Sequence, residues 1–101
     1  VKPVEVHVEA LEEYDKGLAD YADVDDGLAR RFREAFVEAR ERVRAMPKLY
    51  AEDDETGCRI APIKGFPYAL HYLELDEFIW VLAVAHYSRR PGYWLNRLRR
   101  R

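Results

Sequence analysis

The chain opens on a short alternation, Val4-Glu5-Val6-His7-Val8, which predicts a strand presenting Val4, Val6 and Val8 to one side. The period then changes. Leu11, Tyr14, Leu18, Tyr21 and Ala22 recur at helical spacing with acids between them, so an amphipathic helix follows. Asp25-Asp26-Gly27 interrupts it. Either aspartate suits the start of a second helix, because a short carboxylate accepts from the unpaired amides of a first turn. The second apolar stripe, Leu28, Phe32, Ala35/Phe36, Ala39, Val43 and Met46, keeps to one face until Pro47 removes a backbone donor and stops the helix.

Two amphipathic helices joined by an acidic turn form a hairpin that must bury its stripes against another layer. The second half of the chain supplies one. After the polar stretch 51–57, the runs Cys58 to Ile63, Pro67 to Leu75 and Phe78 to His86 read as strands. Lys64-Gly65 and Asp76-Glu77 are the turns between them, giving an antiparallel meander. The last strand, Phe-Ile-Trp-Val-Leu-Ala-Val-Ala, is apolar at both parities, which predicts a central position or cover on both faces. A turn and a short helix follow His86. The expected order is β-αα-βββ-α: an α+β fold, one domain over residues 1–101, with a helical hairpin packed on one face of an antiparallel sheet. A two-residue Asp76-Glu77 turn pairs Leu75 with Phe78, His71 with Leu82 and Pro67 with His86, so His71 and His86 should share a face.

A chain of 101 residues holds one hydrophobic core. No apolar run reaches the roughly 20 residues of a membrane-spanning helix. The first residues are too charged for a signal-peptide core, and the single cysteine, Cys58, makes no intrachain disulfide, so a cytoplasmic protein is expected. Charge is segregated along the chain. Residues 1–28 carry nine acids against two bases, whereas residues 86–101 carry six arginines and no acid. Such a tail suits an anionic partner, or a solvated helix end that complements the helix dipole.

Most catalytic signatures are missing. There is no glycine-rich phosphate loop, and Ser88 has no nucleophile-elbow setting. The pairs Glu12-Glu13 and Asp53-Asp54 fall in solvated acidic segments, and Cys58 reads as a small buried hydrophobe. His7, His71 and His86 are not spaced as metal ligands, so neither a metal nor a cofactor is expected. His71 reads as a sheet histidine half-covered by aromatic neighbours. His86 differs, because it ends the apolar strand beside Arg89, Arg90 and Tyr93. An imidazole there can move a proton near neutral pH while the arginines hold an anion, which suits phosphodiester chemistry. Equally, Arg89 and Arg90 can be surface charges while Tyr93-Trp94 staples the last helix to the core.

An ordered set of segments resembles a known family. Gly27-Leu28-Ala29-Arg30-Arg31-Phe32 opens the second helix and Pro47-Lys48-Leu49-Tyr50 follows it. Phe66-Pro67-Tyr68-Ala69-Leu70-His71-Tyr72, Val81-Leu82-Ala83-Val84-Ala85-His86 and Arg89-Arg90-Pro91-Gly92-Tyr93-Trp94 complete the set. Together they resemble toxins of bacterial type II toxin–antitoxin modules, the RelE/ParE superfamily, in order and over nearly the whole chain.

The resemblance implies a growth-arresting toxin, a cognate antitoxin, and either a homodimer or a toxin–antitoxin hetero-oligomer, with no membrane association. RelE-like members cut mRNA on the ribosome, and ParE-like members poison DNA gyrase without chemistry. Under the first reading, which leads, the catalytic residues are His86, Arg89, Arg90 and Tyr93, forming one exposed cluster. Arg59, Lys64, Arg97 and Arg99 would be the nucleic-acid contacts. The middle strand lacks the arginine that the nucleases usually place there, and Arg59 and Lys64 are the only cations between residues 51 and 85. Gyrase poisoning is the alternative, followed by a degenerate toxin that retains only antitoxin binding.

Overall fold

The computed structural model describes residues 1–99, so two of the six tail arginines lie outside the described residues. Strand β1 (Val4–Val6) leads into helices α1 (Val8–Val24) and α2 (Asp26–Ala45). Strands β2 (Arg59–Ile63), β3 (Tyr68–Glu74) and β4 (Ile79–His86) follow, and a 3-10 helix spans Leu95–Arg99. The sheet order is β1-β4-β3-β2. The meander is antiparallel as expected, but β1 joins β4 in parallel, so the sheet is mixed. The apolar strand β4 is central, which explains why it carries no polar face.

The first strand is shorter than its alternation predicts. His7 donates its amide to Val81 O at 2.9 Å, the last rung of the ladder, while its Nδ1 accepts from Glu9 N at 3.0 Å. That imidazole caps α1. Val8 therefore begins the helix and stays 64% exposed instead of extending the strand face. The α1 stripe is also rotated from the expected one. Ala10, Tyr14 and Gly17 are buried and Leu18 and Tyr21 half-buried, whereas Leu11 and Ala22 face solvent. Gly17 is the reason the helix can turn this face inward. A Cβ there would lie 3.0 Å from the Tyr68 hydroxyl and 3.3 Å from Phe32 Cε2, closer than side chains normally approach.

Helix α2 starts where the sequence predicts, with Asp25 Oδ2 accepting from Leu28 N at 3.0 Å. Phe32, Phe36, Ala39 and Val43 are buried against Leu70, Tyr72, Ile79 and Val81 of the sheet, with Leu28 only half-covered. The Tyr72 hydroxyl crosses this core to donate to Pro47 O at 2.7 Å. Burial pushes its pKa up to about 12, so it remains a donor throughout the physiological range.

The register of β3 on β4 corrects the expectation from the turn. Near the turn it is as predicted, with Leu75 N donating to Phe78 O at 2.9 Å and Glu74 opposite Ile79. Between Tyr72↔Val81 and His71↔Ala83 the ladder slips, leaving Leu82 as an extra residue on β4. His71 thus faces Ala83 instead of Leu82, and His86 faces Tyr68 instead of Pro67. The bulge reverses the alternation beyond it. Ile79, Val81 and Val84 point to the helices, while Trp80, Leu82, Ala83 and Ala85 point to the opposite face. His71 and His86 accordingly lie on opposite faces, with His86 edge-on to Tyr68 at 4.9 Å and His71 packed on Trp94 at 5.0 Å. The second face is covered by the C-terminal segment through Trp94 and Leu98, which sits on Trp80, Leu82 and Cys58. The closing helix is 3-10, a short tight element held by this packing.

Candidate functional site

The candidate site forms where β4 leaves the sheet. His86 O accepts from Arg89 N at 3.0 Å, and Arg90 O accepts from Tyr93 N at 3.2 Å, so two consecutive turns reverse the chain. In the second turn Pro91 precedes Gly92, whose φ of +76° is the left-handed geometry that a type II turn demands at its third residue. The chain therefore folds back over the sheet. His71, His86, Arg89, Arg90 and Tyr93 line one concavity of about 340 Å³, with Ile60, Ala69, Ala85 and Trp94 as its apolar walls.

The four residues predicted to be catalytic do come together, but not as one exposed set. Arg89 and Arg90 are exposed, whereas His86 and Tyr93 are half-buried. His86 Nδ1 accepts from Ser88 N at 3.0 Å, which leaves Nε2 to carry the proton of the neutral ring. The phenol of Tyr93 donates to Glu13 Oε2. Burial first, and then the bond to this carboxylate and its charge, raise the Tyr93 pKa well above the ordinary phenol value. Its ring carries the Arg89 guanidinium at 3.8 Å and the Arg97 guanidinium at 5.3 Å.

Glu13, which the sequence places in a solvated acidic run, organises this end of the molecule. Strand β1 stops pairing at Val81, so the same edge of β4 has no strand neighbour beyond that point. Side chains take over. Val84 N donates to Glu13 Oε1 at 3.1 Å, and Arg97 Nη1 donates to Leu82 O at 3.0 Å. The two side chains are themselves joined in a fork, Arg97 Nη1 to Oε1 at 2.9 Å and Nη2 to Oε2 at 3.0 Å. Glu9 adds a second carboxylate, 2.8 Å from Arg97 Nε. Burial opposes the Arg97 charge, but the bond to Glu13 and the charges around it outweigh that and raise its pKa. The sequence signal for this arrangement is the spacing of Glu9 and Glu13, one helical turn apart and flanking the buried Ala10 and Tyr14.

The residues expected to contact nucleic acid divide differently. Arg97 is 7% exposed, and its terminal nitrogens are taken by Glu13 and Leu82 O. Arg59 donates to Tyr50 O and lies 3.5 Å from Glu52. Lys64 is exposed in the β2–β3 turn beside Arg31, lining a different concavity, and Arg99 is exposed at the end of the 3-10 helix. Among the described residues no group of three or more histidine, cysteine, aspartate or glutamate side chains is placed to hold a metal. Cys58 is buried, and burial raises its thiol pKa, as expected of a packing residue.

The order of elements, the helical hairpin on a sheet and the arginine-flanked strand end agree with a match between residues 4–91 and the family model for the ParE toxin of the type II toxin–antitoxin system parDE. The chain belongs to the ParE toxin family. No curated protein matches it. It is therefore a type II toxin with a cognate antitoxin, and no helix among its described residues is long and apolar enough to cross a membrane.

His71 gives the toxin a measurable pH signature. Its Nδ1 is buried without a partner, and burial lowers the ring's pKa below the usual histidine value, with Glu13 opposing more weakly. A group held neutral in the fold binds fewer protons than it does when unfolded. Its contribution is therefore intact above the unfolded pKa of about 6.5 and is lost as pH falls through the window below that value. Chemical denaturation between pH 7.5 and pH 5 should show the wild type losing stability relative to His71→Gln. Parallel curves for the two proteins would refute this.

Proposed function

We propose that this toxin acts by gripping DNA gyrase through its C-terminal face and does not cut mRNA. The observation that carries this reading is the Glu13 carboxylate set among the arginines. Its Oε2 lies 3.8 Å from the Arg89 guanidinium and accepts the Tyr93 phenol, and both its oxygens hold Arg97. A nuclease needs cations free to meet the charge that grows on a pentacovalent phosphorus. Here one carboxylate already engages Arg89 and Arg97, and it repels a phosphodiester. Tyr93 is held as a donor to an anion, far from the pKa of a useful base. That leaves Arg90 as the exposed guanidinium of the cluster outside Glu13's reach and His86 as its exposed-side imidazole, too few for efficient phosphodiester cleavage.

The competing reading, ribosome-dependent mRNA cleavage, draws on His86, Arg89 and Arg90 lining one concavity. Two assays on the purified toxin separate them: gyrase supercoiling, and cleavage of mRNA on programmed ribosomes. Supercoiling should be inhibited and the mRNA left intact. His86→Ala should retain growth arrest within about threefold, whereas loss of a general acid or base lowers a rate by about 10²–10⁴. Cut mRNA together with a harmless His86→Ala toxin would establish the nuclease reading instead.

A further inference from the structure

Arg89 is held in place before any partner arrives. Its amide donates to His86 O at 3.0 Å, and its guanidinium carbon stands 3.8 Å from the centre of the Tyr93 ring. Its Nη1 lies 3.8 Å from Glu13 Oε2. The ring is itself fixed at both ends. Tyr93 N donates to Arg90 O at 3.2 Å, and the phenol donates to Glu13. Burial and that carboxylate raise the phenol pKa, so the bond persists across the physiological range. Yet the Arg89 side chain is 52% exposed. Surface arginines ordinarily keep their torsional freedom and lose it on binding. This one has lost it already.

We infer that Tyr93 is a positioning residue that holds Arg89 ready for the target, and that Arg89 grips uncharged acceptors, the backbone carbonyl oxygens of a protein. The inference rests on the reading of this face as the one that grips the target, and not on which protein the target is. A guanidinium stacks by its face and donates from its edge, so the ring beside it takes none of its five N–H groups. The Glu13 contact at 3.8 Å is an ion pair beyond hydrogen-bond reach, which leaves those donors free for a partner.

Glu13 also decides what they can meet. With Glu9 and Glu12 it lines a shallow concavity that Arg89 shares, so a phosphate or carboxylate arriving there is repelled, whereas a carbonyl oxygen is not. Freezing the side chain in the free toxin spares that loss on binding, which is worth about two- to tenfold in affinity. Lysine is no substitute, because an ammonium carries the charge without the flat face or the fork.

A double-mutant cycle separates positioning from support of the fold. Arg89→Lys, Arg89→Ala, Tyr93→Leu and the Tyr93→Leu/Arg89→Ala double variant are compared with wild type. The readouts are the expression level that halves growth without antitoxin, inhibition of gyrase supercoiling, and melting temperature. Arg89→Lys should weaken both activities about tenfold while the melting temperature stays within a degree or two. Arg30→Lys, at an exposed position on α2, should change neither. Tyr93→Leu should cost about two- to tenfold in activity when Arg89 is present and almost nothing once it is alanine, although it lowers the melting temperature in both backgrounds.

Equal losses of activity in the two backgrounds would mean that Tyr93 only supports the fold, and would overturn the proposal. So would an Arg89→Lys toxin as active as wild type, a result that stands even if Tyr93→Leu fails to fold. Nitrogen-15 NMR adds a readout that needs no target. Arg89 should give resolved Nη signals in wild type, and inorganic phosphate should not shift them. Merged signals would refute the positioning, and a saturable phosphate shift would refute the uncharged acceptor. A wild type that arrests growth without inhibiting gyrase removes the gyrase reading alone, because the cycle is then read on growth.

Discussion

Glu13→Ala is expected to destabilise the toxin by about 3–5 kcal/mol, the cost of leaving a buried charge without its partner. The argument rests on what the carboxylate serves. It holds both terminal nitrogens of Arg97, the Tyr93 phenol and the Val84 amide, and its removal leaves those nitrogens unpaired by a carboxylate in a site only 7% exposed, with Glu9 remaining only at Nε. Glu13→Gln keeps the shape and the acceptor for Val84 but loses the charge, so it should fall between wild type and alanine. Arg97→Met in the Glu13→Ala background should recover much of the loss, since two apolar groups leave no orphaned charge. Urea unfolding of the four proteins measures this directly. A loss below about 1 kcal/mol for Glu13→Ala would mean that the pair is solvated and the network superficial.

Phe32→Ala should be comparably severe, at about 3–5 kcal/mol. Phe32 is 0% exposed and is the ring on which the two layers converge. Tyr14 and Tyr21 from α1 lie 5.6 and 5.1 Å away, and Phe66 and Tyr68 from the sheet side are each at 5.1 Å. Removing it opens a cavity walled by rings too rigid to collapse into the space. The effect should appear as a lower denaturation midpoint with an unchanged slope. A cost under about 1.5 kcal/mol would show that the hairpin closes over the gap.

The hairpin on a sheet was legible because long amphipathic stretches carry their period redundantly. Phe32, Phe36, Ala39 and Val43 all lie where α2's stripe puts them, and Asp25 and Pro47 bound the helix as their chemistry dictates. Central placement of β4 was legible for the same reason, since eight consecutive positions admit no solvent face. The bulge was not. One extra residue at Leu82 leaves no mark in a run that is apolar at both parities, yet it moves His86 to the other face from His71.

The start of α1 was misread because a histidine at position 7 fits an alternating strand, while its role as a cap depends on where Val81 lies. The four candidate site residues, His86, Arg89, Arg90 and Tyr93, were proposed from local arginine and aromatic clustering. Glu13 escaped because its partners, Val84, Tyr93 and Arg97, are more than seventy positions away, and separation of that order hides a pairing from any local pattern.

The parallel pairing of β1 with β4 has a consequence for how the toxin comes into being. Val4 is opposite Ile79, and Glu13 waits for Arg97, so segments made early depend on segments made more than seventy residues later. At roughly 5–20 residues per second, the N-terminal strand spends several seconds without a neighbour while the rest of the chain is made. The hairpin can form early from its local contacts, but the arginine-flanked face does not exist until the C-terminal segment has closed over the sheet. The surface around Arg89 and Arg90 is thus completed in one late step.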